Sequence, residues 1–354
     1  MAAAPFRKPG PGLPEALGWT FGVLFAHIAA TVGVGIVIAL LIVFSGGNAA
    51  QLATVNAESA PYITLLLGGD QMLVLLATVI AVSLRFSRRA ARTLNLTAPH
   101  ALHIAAVVGL VLPLSAMSGE LYRVAGIGWK QFVDGLPMLQ WIDQTNTVEY
   151  LQEISGALSL PMLLLIVAVG PAFAEELVFR GVIGRGLVAR WGLVGGVLMT
   201  SLLFAAVHMH PVHVVAVVPL GIAMHLIYLA TRSFWAPVLL HFLNNAWASV
   251  ASQMASTDSV DAAAMEAALS PTLLLASLTA VIVLGGLLYR TRTRYLQADG
   301  SEWSPGYVTV EQPPTELLTT RDNGLCSRRT LVTAGSAWAA FAVAFVAELV
   351  AFAR

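Results

Sequence analysis

Residues 175–181 read Glu175-Glu176-Leu177-Val178-Phe179-Arg180-Gly181, inside an apolar run that extends from about 154 to about 189. Each ionisable side chain placed at the centre of a bilayer-spanning helix costs roughly 2.5–3.5 kcal/mol on insertion scales. A chain keeps such residues where they pair with one another or line a cavity and do chemistry. The run therefore marks a membrane helix and, on it, the candidate site.

The composition around it agrees. Hydrophobic residues fill 57% of the 354 positions and charged residues only 11%, whereas soluble domains carry about 25% charged residues. A soluble fold is excluded. The single cysteine, Cys326, excludes an internal disulfide and a cysteine-built metal site. The apolar run after Leu17 is too long for the h-region of a cleaved signal peptide. There is no internal repeat, no Gly-rich phosphate loop and no nucleic-acid footprint.

A bilayer core takes about 20 apolar residues per helix. Nine stretches qualify, near 16–44, 62–84, 100–118, 156–189, 192–210, 212–230, 235–251, 271–289 and 330–352. The expected fold is all-α: a polytopic membrane helix bundle of about eight core helices plus one extra C-terminal transmembrane helix. The expected organisation is a cytoplasmic N-terminus at 1–14, a bundle at 15–294 with its catalytic core at 155–250, a cytoplasmic linker at 295–329 and a last helix at 330–354. Residues 45–61, 119–155 and 252–270 read as outer loops. Glu58, Asp258, Asp261 and Glu266 lie in the first and last of these, and Trp129, Phe132, Trp141 and Tyr150 in the second.

Basic residues set the orientation. With a cytoplasmic N-terminus and an outer C-terminus, the inner segments hold fifteen, from Arg7 and Lys8 through Arg85, Arg88, Arg89, Arg92, Arg185 and Arg190 to Arg329. The outer segments hold only Arg123, Lys130 and Arg354. The chain thus reads as an integral multi-pass protein of a bacterial plasma membrane.

On a helix, Glu176 and Arg180 are four apart and can pair. Glu175 points about 100° away and is the freer carboxylate. Pro171 removes a backbone hydrogen bond beside the acids and bends the helix. On the next span Phe204 and His208 share a face. Glu175 and His208 lie about equally far, roughly 24 Å, from a turn at Trp191 and Gly192, which puts them at one depth. On the seventh span His241 and Asn245 are four apart. They lie only roughly 12 and 18 Å from the turn near 232–235. Either the first hairpin projects further or the second turn is misplaced. Amide hydrolysis needs a base for water and donors for the oxyanion. Glu175 with His208 can supply the first, and His241 with Asn245 the second. Glu175, His208 and His241 also match a catalytic zinc ligand set, so zinc is a possible cofactor, although the His-Glu-x-x-His spacing is absent. Asp70, inside the second span, is a secondary candidate that can pair across the bundle or line a water path. His210 and His213 near the outer end of the fifth span, and His225 within the sixth, are left without a catalytic role.

These residues resemble the CPBP family of CAAX proteases and bacteriocin-processing enzymes, which includes the Ras-converting prenyl-protein endopeptidases. Its Glu-Glu-x-x-x-Arg, Phe-x-x-x-His and His-x-x-x-Asn motifs stand here as Glu175-Glu176…Arg180, Phe204…His208 and His241…Asn245, over roughly 155–250. The resemblance implies an intramembrane endopeptidase with a cavity open to the cytosol. It implies Glu175 and His208 as water activators, His241 and Asn245 as the oxyanion hole, and Glu176, Arg180 and Phe204 as support. It leaves metal-dependent and metal-free glutamate chemistry both open. Implied partners are a peptide or lipidated-protein substrate and membrane lipid, with no nucleic acid. Competing readings are a non-catalytic scaffold or bacteriocin-immunity protein, and a transporter, for which neither paired halves nor matched broken helices are evident.

Overall fold

The computed structural model describes residues 10–49, 55–56, 58–256, 268–303 and 310–352. Helices follow one another as α1 Leu13–Phe44, α2 Ala60–Phe86, the short α3 Ala90–Leu94, α4 Ala101–Asp134 and α5 Thr147–Ser155. A composite rod comes next: α6 Leu160–Leu163, a π-helical stretch Leu164–Val169, α7 Gly170–Glu176 and a second π-helical stretch Leu177–Gly184. Then come α8 Arg185–Ala206, α9 Pro211–Thr231, α10 Trp235–Ser256, α11 Pro271–Arg290 and α12 Arg328–Phe352. Strands β1 Arg294–Leu296 and β2 Thr320–Asp322 form one antiparallel pair.

Among the described residues, seven helical segments are long and apolar enough to span a bilayer, against nine stretches marked in the sequence. Two features account for the difference. Leu160–Ala206 is one segment of 47 residues, but Gly192 breaks it with φ 72° and ψ −178°. Glycine adopts that backbone without a Cβ penalty, and the chain folds back there, at the turn expected from the sequence. The second feature is α10, whose His241, Asn244, Asn245, Ser249 and Gln253 keep it out of the seven. It is packed into the bundle nonetheless, with Val238, Leu240 and His241 buried.

The two arms of the Gly192 hairpin approach so closely that a Cβ on Gly196 would lie 2.3 Å from the Val188 Cα. Gly196→Leu is therefore expected to destabilise the protein by about 1–3 kcal/mol or more, as overpacking does. A lowered melting temperature in detergent is the readout; an unchanged one would mean that the arms are not packed.

The core gathers where the rod, α8, α9 and α10 meet, around Val178, Phe179, Leu187, Phe204, Met224 and Leu240. The outer helices turn large apolar side chains outwards instead. Phe21, Phe25, Val32 and Leu41 of α1 and Leu76 and Leu84 of α2 are at least half exposed. In water such a surface would drive aggregation; in a bilayer it is the lipid contact. The protein is an integral multi-pass membrane helix bundle.

Two sequence expectations change, and the last helix gains a position. The helix expected to stop at 118 runs on to Asp134. Glu120 and Arg123 did not end it because they pair one turn apart, Arg123 Nε donating to Glu120 at 3.0 Å. The tail of the expected outer loop then forms a 3₁₀ stretch, Pro137–Thr145, and α5. The stretch 295–329, expected as a linker, folds onto the bundle where its residues are described. Tyr295 and Val310 are buried, and Asn95, fully buried, donates to the Tyr295 hydroxyl at 2.9 Å and to the Val310 carbonyl at 2.8 Å while accepting from Gln312 at 3.0 Å. Asn95 itself takes the left-handed conformation that ends α3, φ 56°, one that asparagine tolerates better than most residues. Finally, the last helix is docked on the bundle. Phe341 is buried, Trp338 lies over Gly109 of α4, and Glu348 accepts from the Ser270 backbone N–H at 2.8 Å. Arg7, Lys8, Asp258, Asp261, Glu266 and Arg354 lie outside the described residues.

Candidate active site

The rod delivers Glu175 and Glu176 at the seam between α7 and the second π-helical stretch. A π-helix has a wider turn than an α-helix and is found disproportionately at functional sites. Pro171 lies between the two π-helical stretches. It has no N–H, so Val167, four residues earlier, loses its usual helical donor. The side chain of Asn245 fills that place, Nδ2 donating to the Val167 carbonyl at 3.0 Å. Pro171 and Asn245, 74 positions apart in the sequence, are thus coupled through one carbonyl.

The two glutamates have different surroundings. Glu176 is fully buried, and its Oε1 accepts from Arg180 Nη1 at 2.7 Å and from His241 Nδ1 at 2.9 Å. Arg180, also buried, donates through Nη2 to the Gly221 carbonyl at 3.1 Å. Its guanidinium lies 4.1 Å from the centre of the Phe204 ring. Both carboxylates have a buried Oε2 with no hydrogen-bond partner, but Glu175, unlike Glu176, has no side-chain hydrogen bond through its Oε1 either among the described residues. Glu175 Oε2 faces His241 Nε2 at 3.9 Å, a gap too long for a hydrogen bond. One histidine therefore looks at both acids, bonded to Glu176 and open towards Glu175.

Phe204 packs at the centre of the cluster. Its ring centroid is 5.4 Å from that of His208, 5.7 Å from that of His241 and 5.4 Å from that of Phe179, all edge-to-face. His208 lies just past the end of α8, which stops at Ala206 rather than carrying the histidine in its last turn. Three local features set it there. The ring Nδ1 sits 3.1 Å from the Phe204 carbonyl, four residues back; Met209 turns the chain with φ 58°; and Pro211 starts the next helix. With Nδ1 as the donor, Nε2 is left as an acceptor.

Among the described residues no three His, Cys, Asp or Glu side chains come together at ligand spacing.

Other polar groups near the site are less legible in the sequence. Asp70 accepts from His27 at 2.9 Å, Thr31 at 3.1 Å and Gln71 at 3.1 Å, which clamps α1 to α2. The His-x-x-x-Thr spacing of residues 27–31 was the available signal for a shared helix face. Ser115 donates to Asn244 at 2.8 Å and ties α4 to the site helix. His210 approaches Asp143 at 3.3 Å and His213 lies 2.9 Å from the Thr147 hydroxyl. Both hold the 137–147 stretch over the end of α9. His225 is buried, and its Nδ1 has no hydrogen-bond partner.

Residues 157–247 match the family model described as Type II CAAX prenyl endopeptidase Rce1-like. The chain carries an Rce1-like domain. Glu175, Glu176, Arg180, Phe204, His208, His241 and Asn245 all fall within it, as does Pro171. Over these residues the chain is similar to the CAAX-type prenyl endopeptidases. Helices α1, α2, α11 and α12 lie outside the Rce1-like domain, and with them the His27–Asp70 pair. No curated protein and no solved structure matches the chain.

Proposed function

We propose that the protein is an intramembrane endopeptidase that hydrolyses a peptide bond in a membrane-associated or prenylated substrate, and that Glu175 is its base. The observation that carries this reading is that the Glu175 carboxylate stands beside His241 with no hydrogen bond of its own among the described residues, next to a second glutamate that Arg180 and His241 engage through Oε1. A buried carboxylate oxygen without a donor is costly, and a water bound between Glu175 and His208 would satisfy it.

Glu175, helped by the acceptor Nε2 of His208, takes a proton from that water as its oxygen adds to the scissile carbonyl carbon. The carbonyl oxygen becomes an oxyanion. His241 donates to it through Nε2–H, which requires the imidazolium form because Nδ1–H is held by Glu176. With His241 charged, the two acids and two bases of the cluster balance. Asn245 has a second Nδ2–H beyond the one given to Val167 and supplies the other donor. Collapse of the oxyanion breaks the C–N bond, and Glu175 returns the proton to the departing amine. Purified protein in lipid should cut a peptide library or prenylated CAAX peptides at one internal bond. The reading is lost if none is cut.

We propose further that the N-terminus is cytoplasmic and the C-terminus outside. The arginines on which this rests are gathered at one end of the bundle, where Glu311 pairs with both Arg92 and Arg185 and Arg321 donates to the Ala98 carbonyl at 3.2 Å. Cys326, the only cysteine in the sequence, is two residues after Gly324, which packs against the Arg290 backbone at that end. In intact cells it should resist a membrane-impermeant maleimide and react with a permeant one; labelling by both would reverse the assignment.

A further inference from the structure

We propose that the arginine-rich end of α2 and the groove between α1 and α2 form one site for an anionic phospholipid of the surrounding bilayer, its phosphate among the arginines and an acyl chain along the groove. A cavity of about 580 Å³ opens at this end, lined by Arg85, Arg88, Arg89 and Arg185 with Glu311 on its wall. Arg92 stands beside it, 3.4 Å from Glu311. The carboxylates there are Glu311, shared by Arg92 and Arg185, and Glu15, bonded to Arg85 at 3.2 Å. Five guanidiniums against two carboxylates leave an excess of three positive charges. Arg88 and Arg89 are exposed and have no hydrogen bond or ion pair among the described residues, and the Nε of both Arg92 and Arg185 is buried without a partner. The backbone contributes too. Ser87 takes φ 50°, rare for a residue with a side chain, and this ends α2 and opens the tight turn Ser87–Arg89.

The groove adjoins the cavity. It encloses about 440 Å³ between Gly18, Gly22 and Ala26 of α1 and Ala77 and Ala81 of α2, and Val178 of the rod also lines it. Glu15 lines the groove and hydrogen-bonds Arg85 of the cavity, and Ala81 is one helical turn before Arg85. The groove is therefore continuous with the charged end, and it opens among side chains that already face lipid, Phe21 and Phe25 on α1. A soluble phosphate or nucleotide would make no use of the groove. A zwitterionic lipid would leave the excess positive charge unmatched. An anionic phospholipid fits both halves. Val178 is one turn from Glu175, so an occupied groove bears directly on the helix that carries the site.

The test is lipid binding by the full chain, independent of peptidase activity. The detergent-purified protein is exchanged into nanodiscs of mixed phosphatidylglycerol and phosphatidylcholine, and retained lipid is counted by native mass spectrometry. Wild type is expected to enrich phosphatidylglycerol, and the enrichment should fade as salt is raised. Arg88→Gln with Arg89→Gln changes two exposed, unpaired side chains and should lower the enrichment about fivefold or more, at the scale of surface arginines on anionic lipid. Gly22→Leu, whose Cβ meets nothing within 4 Å, fills the groove and should lower lipid retention while leaving the fold intact. The proposal fails if wild type shows no preference between the lipids or a preference insensitive to salt. It also fails if either variant binds as wild type does, or if free glycerol phosphate displaces the lipid completely at equal concentration, which would mean a headgroup pocket alone.

Discussion

Glu175→Gln is expected to abolish most substrate cleavage while leaving the protein as stable as before. Removing a positioned general base typically costs about 10²–10⁴-fold in rate. The stability half follows from the hydrogen-bond pattern. Glu175 Oε2 has no partner to lose, and a neutral amide sits in a buried place more cheaply than a carboxylate. The measurement pairs turnover of a cleaved peptide with a melting curve on the same preparation. A Glu175→Gln variant that cuts at the wild-type rate would falsify the assignment of the base. One that loses activity only because it melts early would show that Glu175 holds the fold instead.

Arg180→Met should do the reverse and strike the fold first. It leaves Glu176 fully buried with only His241 bonded to it. Breaking a buried ion pair from one side costs about 3–5 kcal/mol, because His241 is then left to balance both glutamates of the cluster. The same change also removes the cation from the face of Phe204 and the donor from the Gly221 carbonyl. Adding Glu176→Leu to Arg180→Met removes the stranded charge and should recover much of the lost stability, since apolar replacements of whole buried pairs are often tolerated. It should not recover activity, because His241 then loses the acid that orients it. A melting series in detergent over the wild type, both single variants and the double variant decides this. If the double variant melts no higher than Arg180→Met, the pair is not what the charge argument takes it to be.

Adjacent residues in the sequence thus divide into one that sustains the fold and one left open for chemistry, and part of that division is readable from residue spacing alone. The four-residue spacing of Glu176 and Arg180 is enough to pair them. The bond from Glu176 to His241 is not readable in this way, because 65 residues separate them and depth arithmetic alone puts His241 too near its turn. The structure explains the mismatch. Helix α10 does begin at Trp235, so the second turn is not misplaced. The contact at 2.9 Å then puts the Gly192 turn roughly 10 Å further out than the 232–235 turn, by helical rise. Membrane helices are legible because long apolar runs leave little alternative. What escaped was whatever departs from apolar periodicity. The extension of α4 through Glu120 and Arg123 reads as loop because its charges are visible and their pairing is not. The two π-helical stretches have the same composition as α-helix. The 295–329 stretch has no pattern, since Tyr295 and Val310 are solitary anchors in polar sequence.

That stretch bears on the order in which the molecule is made. Asn95 leaves the ribosome some two hundred residues before three of its side-chain partners, Tyr295, Val310 and Gln312. Throughout that interval the amide has to remain wet, because burying it alone would cost about 1–3 kcal/mol per unmet group. The α3 end of the bundle therefore stays loosely closed during synthesis, and the segment that seals it arrives only after every helix of the Rce1-like domain has been inserted.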